Sequence, residues 1–254
     1  GTLWMFGYNN YGQLGQGTTG TNISSPVQVG ALTTWSKTAL GNTSTLALKT
    51  DGTLWSWGQS DQGQLGLGNT TSYSSPVQVG SLTTWSKIAS GWRHSLAITT
   101  DGKLYAWGYN ALGNLGLGNT TAYSSPVQVG ALTTWLDVAA GRECSLAIKT
   151  DGTLWTWGYN AYGQLGQGNT TNYSSPVQVG ALTTWLNVAG GRYHTLATTT
   201  DGKLYAWGYN DHGQLGQGDS GSSTYRSSPV QVGALTGWSV LSSMTGSRES
   251  IVLF

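Results

Sequence analysis

The chain repeats itself about every fifty residues, and that period constrains its fold more than any other property of the sequence. The motif SSPVQVG begins at Ser24, Ser74, Ser124, Ser174 and Ser227, giving five copies. The first four copies are spaced by 50 residues, and the last spacing is three longer because of an insertion within residues 219–226. A repeat of roughly 20–50 residues cannot bury its apolar face alone, so it stacks on its neighbours as a solenoid, propeller or array.

Within the unit 151–200, the runs SLAIKT and TLWTW flank Asp151-Gly152. β-branched and aromatic residues on either side of Asp-Gly predict a β-hairpin with a type I′ turn, which needs positive φ at both central residues. The pair recurs at Asp51-Gly52, Asp101-Gly102 and Asp201-Gly202. Leu146, Ile148, Leu154 and Trp157 leave little purely polar face, so these strands should be covered on both sides. After the hairpin come the Gly-rich GYNAYGQLGQG, a polar tract ending in Ser-Ser-Pro, PVQV, and the run at 185–189. No stretch keeps an i, i+3, i+4, i+7 apolar pattern, so no helix longer than a turn or two is expected. Four short strands per fifty residues, parted by Gly, Asn and Ser turns, predict an all-β chain in which each unit is one blade of a β-propeller.

Three spaced motifs carry a family resemblance: WGYNAYGQLG at 157–166, VAGGRYHTLA at 188–197 and DGKLYAWG at 201–208. Together they resemble the repeat of the regulator of chromosome condensation family over essentially the whole chain. The resemblance implies a propeller, usually of seven blades in that family, and implies that His94 and His194 are structural, tying strand to loop. Founding members are guanine-nucleotide exchange factors for a small nuclear GTPase and dock on chromatin. Their exchange activity resembles a grafted insertion, the β-wedge, whereas the sizeable insertion here is three residues.

The chain opens on GTLWMFG, the second half of a hairpin, and closes on SIVLF, which resembles the first half of one. Left unpaired, each is an exposed sheet edge. The expectation is a single domain over 1–254 whose terminal strands pair and close a five-bladed ring, the alternative being part of a seven-bladed ring. Phe6 stands where other copies have Trp, and SVLSSMTGSRES replaces the VAGGRYHT stretch, in keeping with atypical terminal repeats.

Charged residues make up 8% of the chain and the formal net charge is +1. Duplex nucleic acid needs several Lys or Arg to neutralise phosphates, and the eleven here are spread over all copies without a run, so no nucleic-acid partner is expected. Lys103 and Lys203 read as exposed turn residues. No apolar run is long enough for a membrane span, and no membrane insertion is expected. The histidines and carboxylates are dispersed, with none at metal-ligand spacing. GYNAYGQLGQG lacks the Lys-Ser/Thr ending of a phosphate loop. No catalytic residue, metal or cofactor is therefore expected. Cys144 is the single cysteine and occupies the position of His94, His194 and Ser44, a buried polar site. The 13 Trp and 13 Tyr fall mostly at repeated positions, where burial of about 150–250 Å² each makes them core material.

Copies differ chiefly in two places. One is the loop after the Trp-Gly pair: Asn9, Asn10 and Tyr11; Asp61 and Gln62; Tyr109 and Asn110; Tyr159, Asn160 and Tyr162; Asp211 and His212. The other is the turn with Trp92 and Arg93, Arg142 and Glu143, and Arg192 and Tyr193. Loops on a rigid frame carry recognition, so these are the candidate binding residues. Low charge, abundant Ser, Thr, Asn and Gly, and near-identical copies favour a non-catalytic scaffold. It would be an adhesive or structural module of a cell-surface, extracellular or virion assembly, part of a larger homo- or hetero-oligomer, contacting protein or surface glycan. The alternative is an intracellular, cytoplasmic propeller acting as an exchange factor or interaction hub.

Overall fold

The computed structural model describes residues 1–242 and 251–253. Twenty strands are described, in chain order. Trp4–Gly7 (β1) and Ile23–Gln28 (β2) form a two-stranded sheet. The first complete blade is Trp35–Leu40 (β3), Ser44–Lys49 (β4), Leu54–Gly58 (β5) and Tyr73–Gln78 (β6). The second is Trp85–Ser90 (β7), His94–Thr99 (β8), Leu104–Gly108 (β9) and Tyr123–Gln128 (β10). The third is Trp135–Ala140 (β11), Cys144–Lys149 (β12), Leu154–Gly158 (β13) and Tyr173–Gln178 (β14). The fourth is Trp185–Gly190 (β15), His194–Thr199 (β16), Leu204–Gly208 (β17) and Arg226–Gln231 (β18), and Val240–Ser242 (β19) with Ile251–Leu253 (β20) form a last two-stranded sheet. Among the described residues the one helical piece is a 3-10 turn, Ser222–Thr224. The all-β propeller architecture follows the expectation, with four blades complete and the strands of a fifth divided between the two ends.

Within each complete blade the strands run antiparallel in chain order. First strands approach one another from blade to blade (β3 to β7, β7 to β11, β11 to β15), which puts them innermost. Each fourth strand is an outer edge. It carries the Pro of SSPVQ, where a missing N–H costs no ladder bond, and the loop of the preceding blade covers it, as Gly68 N donates to Ser124 O at 2.8 Å. Second strands are buried on both faces, β8 along its whole length, as their unalternating apolar sequence requires.

The core lies between blades. Leu146, Ile148, Leu154 and Val179 of the third pack on Trp185, Val188, Ala197 and Trp207 of the fourth. The same junction joins Leu46, Leu48, Leu54 and Val79 to Trp85, Ala97 and Trp107. At four junctions one carbonyl of the Gly-rich loop accepts two hydrogen bonds from the next blade. Trp157 Nε1 and Ser145 Oγ donate to Asn114 O at 2.9 and 2.7 Å. Gln13 O takes Trp57 and Thr45 at 2.9 Å each, Gln64 O takes Trp107 and Ser95 at 3.0 and 2.8 Å, and Gln164 O takes Trp207 and Thr195 at 2.9 and 2.8 Å. The next loop residue but one explains the glycine that ends Gln-Leu-Gly, or Asn114-Leu115-Gly116 in this copy: Gly116 has φ +70, and a Cβ there would sit 2.7 Å from Trp157 Nε1.

A second tie runs through His94, which is buried at the start of β8 and approaches Ser145 Oγ at 3.0 Å across the junction. Ser145 gives its single proton to Asn114 O, so His94 donates to Ser145 through Nε2. Burial lowers its pKa to about 4, against a smaller opposing effect of the Cys144 backbone. Cys144, at the equivalent position one blade on, is buried and free, and burial pushes its thiol up to about 12.

Two expectations need correction. The Asp-Gly turn is not type I′, because no residue other than glycine has positive φ. Gly52 N donates to Lys49 O and Lys49 N to Thr53 O, both at 3.0 Å, and only Gly52 is left-handed, at φ +77. This is a three-residue loop ending in a glycine bulge. Asp51 serves through its side chain, accepting from Thr53 N and Oγ1 at 3.0 and 2.7 Å. Lys103 and Lys203 are turn residues, as expected, but each is tied to its turn carboxylate, Asp101 or Asp201, at 2.7 Å.

The second correction concerns the ends: β1 is hydrogen-bonded to β2 and β19 to β20, as separate sheets, so the described strands do not close a blade by pairing β20 with β1. Each half-sheet instead docks on its neighbour in sequence. The amine of Gly1 donates to Trp35 O at 2.7 Å, and β19 lies against β15 and β16. Trp4 and Phe6 on β1 remain 52% and 62% exposed. The substituted stretch at 239–250 falls largely outside the described residues.

Two predictions follow from the junctions. Gly116→Ala combines left-handed backbone with a clash on Trp157 and should cost about 2–4 kcal/mol, while Gly130→Ala should cost only about 1 kcal/mol. At Gly130, φ is +62 and nothing lies within 4 Å of an added Cβ. Thermal melts of the two variants check this, since each kcal/mol moves Tm by about 2–4 °C at this size, and equal shifts would reject the clash. For His94 the unfolded chain binds the proton first, so stability is lost as pH falls from 6.5 toward 4, by roughly 3 kcal/mol in all. His94→Cys, which copies the third blade, should flatten the denaturant-measured stability between those pH values whatever its effect at pH 7. An unchanged slope would remove His94 as the titrating group.

Candidate functional site

Antiparallel order sends two connections of each blade to one end: the turn from first to second strand and the long loop from third to fourth. The register pairs His94 with Gly108, and Cys144 with Gly158, at that end. Both variable regions of the repeat therefore share one face. They are bonded together there, through Tyr109 N to Arg93 O (2.8 Å), Tyr159 N to Glu143 O (2.9 Å) and Tyr209 N to Tyr193 O (2.9 Å). Turns of successive blades are joined in turn, with Trp92 N donating to Arg142 O at 3.0 Å and Arg142 N to Gly191 O at 3.1 Å. The sharpness of each turn depends on glycine: a Cβ on Gly91 would lie 2.1 Å from the His94 ring.

This frame lines up alternating cations and rings over three blades. The Arg93 and Arg142 guanidinium carbons lie 4.6 and 3.9 Å from the Trp92 ring centroid, and those of Arg142 and Arg192 lie 5.5 and 5.3 Å from that of Tyr193. The order is Arg93, Trp92, Arg142, Tyr193, Arg192. Burial raises the Glu143 carboxyl above its ordinary pKa, against the pull of Arg142, Arg93 and Arg192. Among the described residues the ion pairs are Lys87–Asp137, Lys103–Asp101, Lys203–Asp201 and Arg226–Asp219, so none of these three arginines is paired with a carboxylate.

Tyr193 also opens a cluster of phenols. Its ring is 4.8 Å from Tyr162 and 6.1 Å from Tyr159, Tyr162 is 5.1 Å from Tyr209 and 5.7 Å from Tyr225, and Tyr209 is 4.9 Å from Tyr225. Asp211 fixes the far side, accepting from Tyr209 at 2.6 Å and Tyr225 at 2.9 Å. Burial first, then the hydrogen bond to Asp211, holds the Tyr225 phenol above its ordinary pKa. Tyr162, Arg192, Tyr193, Tyr209 and Gln214 line a hollow of about 230 Å³.

Of the candidate binding residues, the structure brings together Trp92, Arg93, Arg142, Glu143, Tyr159, Tyr162, Arg192, Tyr193 and Asp211, with His212 edge-on to Tyr209 at 6.2 Å. Tyr109 joins by its backbone. Asn10, Tyr11, Asp61 and Gln62 belong to the loops of earlier copies, where Tyr11 packs on Tyr8 at 6.4 Å and Asp61 accepts from Gln64 at 3.2 Å. Asn9, Asn110 and Asn160 are a correction: all three are fully buried. Asn160 accepts from Leu165 N at 2.9 Å and donates to Asn169 O and Thr171 O at 3.0 and 2.9 Å, so its amide is used in closing its own loop. Sequence comparison among copies did not single out Tyr209, Tyr225 or Gln214. The signal available for Tyr225 was the insertion that carries it.

On the inner strands, the carboxylate Asp137 pairs with Lys87 at 3.0 Å rather than with another acid. Among the described residues no group of three His, Cys, Asp or Glu could hold a metal ion, and no helix is long and apolar enough to cross a membrane.

The regulator of chromosome condensation (RCC1) repeat matches residues 1–48, 51–98, 101–148, 151–198 and 201–253, and a second description of that repeat matches 35–64, 85–114, 135–164 and 185–214. Protein RCC2 of Mus musculus is 41% identical over 73 residues, which are 28% of this chain and 14% of RCC2. Human WBSCR16 superposes with a TM-score of 0.82 at 24% identity, covering 91% of this chain and 62% of that one. Prp20p from Saccharomyces cerevisiae, studied with its binding to Gsp1p and histones, gives 0.80 at 23%, covering 92% and 59%. Yeast RCC1 (Prp20) in complex with Kap60 gives 0.83 at 20%, covering 99% and 63%. At these identities the structural likeness speaks for the fold alone. The chain spans about three fifths of the length of these solved chains.

Proposed function

Since the chain belongs to the family of regulator of chromosome condensation repeats, we propose that it is a non-catalytic interaction propeller holding a protein partner on its loop face. The observation that carries this reading is the convergence there of the residues in which the copies differ, around the Trp92, Arg142 and Tyr193 stack. Junction residues hardly vary between copies, whereas this face changes at each blade, as a surface does when each copy meets a different part of a partner. Similarity to Prp20p, a protein studied for binding Gsp1p and histones, supports protein rather than glycan as the partner. It also favours the intracellular alternative over a cell-surface or virion adhesin. Exchange activity has weaker support, because the insertion in the fifth copy is taken up in packing Tyr225 on Tyr162 and Tyr209.

The test uses photo-crosslinking residues at Ala161, exposed beside Tyr162, and at Leu132, exposed on the connection at the opposite end. In extract of the source cell, saturable protein adducts are expected from position 161, lost with Tyr162→Ala and Tyr193→Ala, and not from 132. Adducts confined to 132 would reject the loop face. Accelerated nucleotide release from a purified adduct GTPase would replace the scaffold reading with an exchange factor.

A further inference from the structure

We propose that the alternating stack of Arg93, Trp92, Arg142, Tyr193 and Arg192 is a recognition strip for an acidic, carboxylate-rich protein segment. This deepens the loop-face reading and rests on it. The first argument is charge. Three guanidiniums lie around one carboxylate, Glu143, and none of them is ion-paired among the described residues, so the strip keeps an excess of two positive charges in a chain whose formal net charge is +1. Elsewhere on the described surface the turn lysines Lys103 and Lys203 are matched with Asp101 and Asp201 at 2.7 Å. Lys37, Lys49 and Lys149 also lack a carboxylate partner among the described residues but lie on strands β3, β4 and β12, whereas the three arginines lie together along one strip.

The second argument is orientation. A guanidinium held over a ring is fixed in plane at little further cost in side-chain entropy. Its N–H edge then points away from the ring as a fork, and that fork fits a carboxylate with two parallel hydrogen bonds. The Nε–H groups of Arg142 and Arg192 are enclosed and out of a partner's reach, so on these half-buried residues the fork that meets a carboxylate is that of the terminal nitrogens. The strip crosses three blades whose turns are bonded in series, Trp92 to Arg142 and Arg142 to Gly191. An extended segment with acidic side chains laid along the turns would meet the arginines one after another.

The same facts disfavour single-stranded nucleic acid. Bases bind such proteins by stacking on open aromatic faces, and the Trp92 and Tyr193 rings already carry guanidiniums. Three cations also neutralise few phosphates. Glu143 sets the sign of a distinctive test. It lies where an incoming carboxylate must approach, so it opposes binding, and burial already disfavours its charge.

The probes are a fluorescein-labelled decapeptide of alternating Asp, Glu and Gly, its Asn/Gln counterpart, and a labelled uridine decamer, read by anisotropy on the full chain. The acidic peptide is expected to bind, its counterpart at least about tenfold more weakly, and the affinity to fall with added salt. Arg142→Ala should weaken the acidic peptide about tenfold or more, as loss of a charge-assisted bond does, and Arg142→Lys should recover only part, because the fork and stack are lost. Glu143→Gln should tighten it a few-fold. Lys103→Ala, at the opposite end, should change nothing. Thermal melts of each variant identify any loss due to unfolding, and the gain in Glu143→Gln cannot arise from misfolding. Equal binding of both peptides, tighter binding of the uridine decamer, or indifference to Arg142 and Glu143 would overturn the acidic segment. If position 161 still cross-linked a protein that the acidic peptide failed to displace, this inference would fall while the loop-face reading stood; adducts from 132 alone would remove both.

Discussion

Everything in this propeller depends on one backbone carbonyl per repeat, at Gln13, Gln64, Asn114 and Gln164, that accepts from an indole and a hydroxyl of the next blade. A buried indole N–H without a partner is costly; the wholly buried Trp57, Trp107, Trp157 and Trp207 have theirs met by that oxygen, whereas Trp35, Trp85, Trp135 and Trp185 are buried with Nε1 unpartnered. The loop in turn can approach only because Gly116 and its equivalents have no Cβ. Blade order, burial and glycine content are thus one constraint. It also fixes the loop face, because the loops that lock the junctions are the loops that carry Tyr159, Tyr162 and Tyr209.

The hairpins at the opposite end show how coupled substitutions are absorbed. In the first and third blades Lys49 and Lys149 lie 3.5 and 3.6 Å from the centroids of Trp55 and Trp155, and those indoles donate to Thr53 and Thr153 at 2.9 and 2.8 Å. In the second and fourth blades Thr99, Lys103 and Tyr105, or Thr199, Lys203 and Tyr205, take those places, and the Lys pairs with the turn Asp instead. Three positions change together because each is the other's hydrogen-bond or stacking partner. On the loop face Asp211, Tyr209 and Tyr225 form such a set within the fourth blade, whereas Trp92, Arg142 and Tyr193 interact across blades rather than within one.

Much of this was legible in the residues. The repeat gave the blades, the unalternating SLAIKT-type runs gave strands buried on both faces, and comparison of copies picked out Trp92, Arg142, Tyr162 and Tyr193. The failures have physical reasons. Asp-Gly reads as a two-residue turn by composition, but Asp51 gains more by accepting from Thr53 than by adopting positive φ. Asn160 reads as a loop-tip polar residue, yet the loop folds over it and uses every arm of its amide.

The sequence alone determined that the chain is all-β, built of fifty-residue blades, and low in charge, because periodicity and composition are properties of the chain as written. Only the tertiary structure decided which residues meet between blades: that Arg93, Arg142 and Arg192 line up on Trp92 and Tyr193, and that Tyr225 joins Tyr162 and Tyr209. The pairs that cross blades, Trp92 with Arg142, Arg142 with Tyr193 and Tyr162 with Tyr209, are about fifty residues apart in the chain, and they come into contact only because stacking of the blades brings equivalent turns and loops side by side.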